Sequence, residues 1–186
     1  MDITELIKTR RSIKTFKTLP IDHTIVTELL NTAIWAPNHK MTQPWRFIIL
    51  KDSSKKKYAQ LKKKMAYDEM SEAEESVRQK HADITYQKIH DIPLILIAVI
   101  EQNEDPEIAQ EDYAACACVI DNFMLLAWDQ GIGTAWKTFK GKEDIKEFLN
   151  IQQNEKVVGV IYTGYPESIP DTKPRASLEN RIDIKS

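Results

Sequence analysis

The sequence predicts one domain that combines helices with a small β-sheet, and three observations support this. The chain has 186 residues, a length at which one hydrophobic core is the usual outcome. Residues 94–100 form an unbroken apolar run after a proline, which is the pattern of a strand buried on both faces. Residues 107–130 read as the longest helix, and they are apolar nearly all round from 113 to 128. Such a helix belongs at the centre of a core or in a subunit interface.

The first half of the chain is predicted to be mainly helical. Apolar residues recur with helical spacing in 3–11, and a second helix is expected to begin at Asp22, whose carboxylate can cap it. The aromatic and aliphatic run 45–51 predicts the first strand. The charged stretch 54–90 predicts two exposed helices that are separated by a polar break at 68–73.

The second half contains the remaining strands. Glycines in 131–133 are expected to end the long helix, and residues 134–138 follow as a short extended piece. A small helix is predicted at 142–149 and the last strand at 156–165. The tail after Pro166 has too few apolar residues for a core of its own, so we expect it to lie on the body of the protein or to embrace a partner.

Composition excludes several classes of protein. The formal net charge is -2, which gives no bulk affinity for nucleic acid or for membranes. No apolar run is long enough for a bilayer, and the start lacks the pattern of a secretory signal. The lysine runs 55–57 and 62–64 favour a solvated helix face because nearby glutamates offset them. Cys116 and Cys118 are expected to be reduced, buried, small apolar residues, so we predict a cytoplasmic protein.

Metal and nucleophile motifs are missing from the sequence. The four histidines lie far apart and no Cys-x-x-Cys is present, so no metal site is predicted. No Gly-x-Ser-x-Gly elbow occurs, and no catalytic side chain is predicted. Gly131 and Gly133 make neither a dinucleotide fingerprint nor a P-loop, so a nicotinamide would have to bind transiently.

Two polar motifs are candidates for ligand binding. Arg10, Arg11 and Ser12 offer guanidinium groups and a hydroxyl that match phosphate oxygens, although cations also suit a helix C-terminus. The loop 38–43 carries side chains that can read the edge of a heterocycle, although loops are commonly polar. Together the two motifs favour a phosphate-bearing cofactor.

Four motifs in order resemble one family. They are Arg-Arg-Ser-Ile-Lys at 10–14, Ala-Pro-Asn-His…Gln-Pro-Trp-Arg-Phe at 36–47, Gly-Ile-Gly-Thr-Ala-Trp at 131–136 and Lys-Pro-Arg at 173–175. The set resembles the FMN-dependent nitroreductase family, especially its small bacterial members, over essentially the whole chain. The resemblance implies an α+β fold with a central, mostly antiparallel sheet flanked by helices. It also implies a single domain over 1–186 and a domain-swapped homodimer with FMN at the interface.

The same resemblance implies which residues contact FMN. In one subunit, Arg10, Arg11 and Ser12 would hold the phosphate and ribityl chain, with Lys14 near the pyrimidine side of the flavin. In the same subunit, Trp136, Lys137 and Thr138 would line the cofactor, and Arg175 would contact the phosphate. The polar loop with Asn38, His39 and Gln43 would reach the flavin from the other subunit. Many relatives have Asn at the position of Met41 and small serines in place of Asn38 and His39, so we expect a different substrate pocket.

The chemistry that the resemblance implies belongs largely to the cofactor. NAD(P)H would bind transiently, give a hydride to the flavin and leave before a nitroaromatic, quinone or related acceptor takes the electrons, which is a ping-pong mechanism. Lys14 or Lys137 would stabilise the anionic reduced flavin. A different flavin reaction on the same fold, a non-catalytic flavin-binding protein and a helical scaffold stay open as alternatives.

Overall fold

Four strands form one sheet, and every neighbouring pair within it is antiparallel. The computed structural model describes residues 1–179 and 181–185. The strands lie in the order β1-β2-β4-β3, and they are Trp45–Leu50 (β1), Leu94–Glu101 (β2), Gly133–Lys137 (β3) and Glu155–Gly164 (β4). The helices are Ile3–Thr9 (α1), His23–Ala33 (α2), Asp52–Asp68 (α3), Glu75–His90 (α4), Pro106–Asp129 (α5) and Glu143–Phe148 (α6). The predicted α+β fold with a mostly antiparallel sheet is confirmed.

Strand β2 lies at the centre of the sheet and is buried on both faces. Because successive side chains of a strand point to opposite faces, its apolar run supplies two separate cores. Leu94, Leu96 and Ala98 pack with α2 and α5, while Ile95 and Ile97 pack with α3, α4 and α6. The prediction of a doubly buried strand is therefore confirmed, and the protein has a three-layer helix–sheet–helix arrangement.

The glycine after α5 ends that helix, as predicted. Gly131 has a φ of 71°, which an L side chain rarely adopts. The amide of Ile132 donates to the carbonyl of Ala127 at 2.9 Å, and the amide of Gly131 donates to the carbonyl of Trp128 at 3.0 Å. These two bonds satisfy the last carbonyls of α5 and turn the chain directly into β3.

Two lysines differ from the predicted solvated face of α3. Lys55 Nζ donates to the carbonyl of Ile92 at 2.6 Å, and Lys62 Nζ donates to the carbonyl of Lys140 at 2.8 Å. Burial lowers the pKa of both amines. The lysine runs therefore attach α3 to neighbouring segments as well as facing solvent.

None of the helices in the described part of the chain has the length and apolar composition that a membrane span requires.

A bidentate ion pair joins β1 to the start of β4. Arg46 Nε lies 2.5 Å from Glu155 Oε1, Arg46 Nη2 lies 2.6 Å from Glu155 Oε2, and the amide of Gln152 also donates to Oε2 at 2.8 Å. The hydrogen bond from Arg46 lowers the pKa of Glu155, whose side chain is only 10 % exposed. Because the folded state holds the carboxylate ionised, the pair stabilises the protein above the ordinary Glu pKa of 4.5.

We expect Glu155→Gln to lower the free energy of unfolding by about 2 kcal/mol at neutral pH, since it removes a charge-assisted pair and leaves Arg46 without its partner. The difference from the wild type should shrink as the pH falls through the lowered pKa of Glu155, because protonation breaks the same pair. Urea unfolding at several pH values measures this. Lys64→Gln, which removes an exposed ion pair to Asp144, is the control and should cost about 0.5 kcal/mol or less. An equal loss in both variants would contradict the prediction.

Candidate functional site

The segment that carries the two arginines is extended and lies beside β3. The sequence predicted a first helix to residue 11, but α1 ends at Thr9 because Arg10 has a ψ of 135°. The amide of Ile13 then donates to the carbonyl of Thr134 at 2.9 Å, and Ser12 bridges to the same residue. The free edge of β3 therefore fixes the backbone of residues 10–14.

A glycine allows this close approach. A Cβ on Gly133 would lie 2.5 Å from Ile13 Cγ1, which is inside van der Waals contact. Ile13 is fully buried, and it packs with Leu6 and Trp128. The buried side chain of Ile13 thus anchors the segment, with Arg10 and Arg11 before it and Lys14 after it.

The chain after β4 returns to the same place. The amide of Lys17 donates to the carbonyl of Tyr165 at 2.8 Å, and the amide of Glu167 donates to the carbonyl of Thr15 at 3.2 Å. Residues 170–175 then lie beside the arginine segment. The start of the tail therefore lies on the body of the protein, which was one of the two arrangements expected.

The arginine segment and the tail enclose a cavity of about 310 Å³, which we call the anion cavity. Five cations and one carboxylate line it, together with a serine and a proline. They are Arg10, Arg11, Lys14, Lys173, Arg175, Asp171, Ser12 and Pro170. In the described part of the chain, none of the five cations forms an ion pair. The charge of the cavity therefore favours a multiply charged anion.

Two of these cations have buried atoms without a partner. Arg10 Nη1 and Arg11 Nε are inaccessible to solvent, and neither finds a hydrogen-bond partner among residues 1–179 and 181–185. A buried donor without an acceptor is costly, and phosphate oxygens suit guanidinium donors. The cavity thus fits a phosphate group, and all five residues predicted for the phosphate and pyrimidine sides of FMN, Arg175 included, line it together.

A second cavity of about 370 Å³ shares Lys14 with the anion cavity, and we call it the basic aromatic cavity. Phe16 and Tyr162 form part of its wall, Lys88 and Lys137 add amines, and two carboxylates also line it. Lys137 Nζ lies 5.9 Å from the centroid of the Tyr162 ring. Lys14 and Lys137, the two lysines expected near the flavin, therefore border one cavity.

The neighbours of Lys137 take other positions. Trp136 pairs with Ile161, so its side chain lies on the α5 face of the sheet, where a Cβ on Gly159 would collide with its indole. Thr138 is exposed and lies beyond the end of β3, whereas the extended piece was predicted to include it. Neither residue lines the two cavities.

The polar loop 38–43 lies far from the anion cavity of its own chain. Pro44 and Trp45 follow it at the Ile100 end of β2, while Thr134, beside the arginine segment, aligns through β4 with the Leu94 end. The loop and the arginine segment therefore lie at diagonal corners of the sheet. They are about 23 Å apart along the strands, which is the length of the eight-residue β2, and about 14 Å apart across the sheet, which is three strand spacings. Asn38, His39 and Gln43 are therefore not brought to the arginines within one chain.

Three residues near these sites were not singled out from the sequence. Lys173 lines the anion cavity, and its place beside Arg175 in the Lys-Pro-Arg motif was the available signal. Thr42 donates to the buried carboxylate of Asp112 at 2.6 Å, and this contact had no signal because seventy residues separate its partners.

The remaining chemistry of the described residues is limited. No group of three His, Cys, Asp or Glu side chains in that part of the chain is arranged to hold a metal ion. Cys116 and Cys118 are free; Cys116 is buried as predicted, but Cys118 is exposed, because it lies on a different side of α5. Burial raises the pKa of the Cys116 thiol to about 12. A thiol with so high a pKa stays protonated and is a poor nucleophile.

Comparisons with known proteins agree with this geometry. The sequence profile of the nitroreductase family matches residues 7–165. YfhC of Bacillus subtilis (strain 168), which carries NAD(P)H nitroreductase as a provisional name, is 31% identical over 96% of this chain and 91% of its own. The crystal structure of a nitroreductase-like family protein from Bacillus cereus superposes with a TM-score of 0.86 at 29% identity, over 100% of this chain and 96% of the other. The FMN and NADPH-dependent nitroreductase NfnB from sphigopyxis sp. strain HMH shares the fold, with a TM-score of 0.80 at 14% identity and 100% of both chains covered.

Proposed function

Because this chain is a member of the nitroreductase family, we propose that it is an FMN-dependent oxidoreductase whose single domain spans residues 1–186. The proposed electron donor is NAD(P)H, and the proposed acceptors are nitroaromatic, quinone or related small molecules. Donor and acceptor would use the site in turn, in a ping-pong mechanism. The provisional name of YfhC and the name of NfnB support the choice of donor.

The observation that carries this proposal is the anion cavity. Its cations have no ion-pair partners among the described residues, and buried donors of Arg10 and Arg11 lack acceptors. A terminal phosphate supplies oxygens for these donors and charge for these cations. A substrate without such a group would leave them unsatisfied.

Different residues of this chain would bind different parts of FMN. Arg10, Arg11, Ser12 and Arg175 would hold the phosphate end, and Lys14, which borders both cavities, would lie near the pyrimidine side of the ring. Bound FMN supplies a hydride acceptor that can also give electrons to a second molecule. Lys14 and Lys137 would stabilise negative charge on the ring by electrostatic attraction. No acid or base side chain is required for this role.

We propose that the site is completed by a second copy of the chain. One protomer cannot bring the polar loop to its own anion cavity, since they lie at diagonal corners of the sheet. Large apolar side chains are exposed beside the loop, with Trp35 86% and Met41 68% exposed. Such side chains are typical of a protein interface. Asn38, His39 and Gln43 of one protomer would therefore meet FMN that its partner holds.

The tail provides further support for a homodimer. Leu178, Ile182 and Ile184 are exposed apolar residues beyond the part that lines the anion cavity. We propose that this part of the tail packs on the partner, which gives a domain-swapped dimer. We also place the protein in the cytoplasm, where its two free thiols would stay reduced.

The absorption spectrum of the purified protein tests the proposed function. After excess FMN is added and unbound FMN is removed, the visible bands of oxidised flavin should remain, and NAD(P)H with a quinone should then be consumed steadily. A protein that keeps FMN but does not oxidise NAD(P)H would be a non-catalytic flavin-binding protein. A protein that keeps no FMN would contradict the proposal.

A further inference from the structure

Asp112 on α5 is the one charged residue buried in the part of the chain that the structure describes, at 3% exposure. A buried carboxylate is unfavourable unless it accepts hydrogen bonds. Thr42 Oγ1 donates to Asp112 Oδ1 at 2.6 Å, which is at the short end of the usual range for a hydroxyl donor. This bond fastens the loop 38–43 to the second turn of α5.

The loop needs such a fastening because its backbone is strained. Lys40, Met41 and Gln43 have φ values of 50°, 57° and 44°, all in the left-handed region that favours glycine. Strained non-glycine residues persist only where surrounding contacts hold them. The loop therefore occupies this conformation because contacts impose it.

The other contacts of the loop are either exposed or local, so they are weaker anchors. His39 Nδ1 lies 3.2 Å from Glu111 Oε2, and both side chains are about half exposed, so solvent screens the pair. Asn38 Oδ1 accepts from the amide of Gln43 at 3.2 Å, which closes the loop on itself without fixing it to the body. The bond between Thr42 and Asp112 is partly buried, and it thus links the exposed loop to a buried side chain of α5.

We propose that Asp112 is a positioning residue, which acts through Thr42 to hold the loop 38–43 ready to contact FMN in the partner. This role rests on the proposed function. It does not require Asp112 to touch the cofactor. A loop that is ordered before the cofactor binds loses less entropy on binding, so the bond should strengthen FMN binding.

The test compares Thr42→Val with Thr42→Ser. Valine keeps the volume of threonine but removes the donor, whereas serine keeps the hydroxyl. We expect Thr42→Val to raise the dissociation constant for FMN about tenfold and Thr42→Ser to leave it near the wild-type value. In the protein without FMN, hydrogen exchange of the loop amides should be faster in Thr42→Val, with little change in β2.

Asp112 is tested by the variant Asp112→Asn, both alone and combined with Thr42→Val. Asp112→Asn keeps an acceptor oxygen, and it should weaken FMN binding less than Thr42→Val does. In the Thr42→Val background, Asp112→Asn should add no further loss, because the bond is already gone. A full additional loss in the double variant would show that Asp112 acts by another route and would overturn the proposal.

The outcomes separate the positioning role from the proposed function. If the wild type binds FMN and Thr42→Val binds it equally well with an unchanged flavin circular dichroism spectrum, the positioning role alone is wrong. A lower melting temperature with unchanged FMN affinity would likewise assign the bond to stability only and overturn the role. If the wild type binds no FMN, the proposed function is wrong and the positioning role is lost with it.

Discussion

Replacing Arg10 with glutamine is expected to weaken FMN binding about a hundredfold, or by about 2.7 kcal/mol, while riboflavin binding stays unchanged. The physical reason is that Arg10 lines the anion cavity and that its buried Nη1 has no hydrogen-bond partner in the described residues. A phosphate oxygen would satisfy that donor, and riboflavin has no phosphate. Quenching of flavin fluorescence on binding measures both affinities.

The matched control for this prediction is Lys17→Gln. Lys17 is an exposed cation in the same extended segment, but it does not line the anion cavity. Its replacement removes one positive charge from the protein without removing a donor to the phosphate. An equal loss of FMN affinity in both variants would show that general charge, and not the cavity, determines binding. Equal losses for FMN and riboflavin in Arg10→Gln would also contradict the prediction.

Lys14→Glu is expected to lower the reduction potential of the bound flavin on the order of 50 mV, because it replaces attraction for the anionic reduced ring with repulsion. Lys14 borders both cavities, which places it between the phosphate side and the basic aromatic cavity. Equilibration with a redox dye of known potential measures the shift. FMN affinity should also fall, so the titration is made with protein in excess over FMN, which keeps the flavin bound.

A neutral variant gives the control for Lys14. Lys14→Gln removes the positive charge without adding a negative one, so its shift should be about half as large as that of Lys14→Glu. Lys88→Gln changes an amine of the basic aromatic cavity that borders only that cavity, and it should shift the potential less. An unchanged potential in Lys14→Glu would rule out an electrostatic role for this lysine.

Local sequence patterns predicted much of the fold, because the spacing of apolar residues reflects which side of a helix or strand is buried. The apolar run of β2 required burial on both faces, and β2 lies at the centre of the sheet. The long helix α5 packs on one face of the sheet, but Tyr113 and Cys118 are exposed, so it is not buried all round within one chain. The Asp22 cap is confirmed, since its carboxylate accepts from the amide of Thr24 at 3.0 Å. Antiparallel pairing was inferred only through the family resemblance, because pairing depends on contacts between distant segments.

The site was predictable only in part. Arg10, Arg11, Ser12, Lys14 and Arg175 were named from motifs, and the structure brings them to one cavity. The end of α1 was predicted two residues too late, because the bond from Ile13 to Thr134 is a tertiary contact that a local sequence pattern does not indicate.

The loop shows the same limit more strongly. Its polar residues were recognised from their composition, but their anchoring was not. The bond from Thr42 to Asp112 depends on where α5 packs, which the loop sequence does not indicate. The left-handed backbone at Lys40 and Met41 could not be predicted, because neither residue is a glycine. Whether the loop meets FMN depends on a second chain, which one sequence cannot place.

Mixing two defective variants shows whether each FMN site is shared between two protomers. One carries Arg10→Gln, and the other carries Asn38→Ala with Gln43→Ala. A mixed dimer would contain one site with an intact anion cavity from one protomer and an intact loop from the other. If subunits exchange freely, about half of the dimers are mixed, so about one quarter of all sites should regain tight FMN binding. Recovery near that fraction is the predicted result, and no recovery in a mixture shown to contain mixed dimers would contradict the shared site.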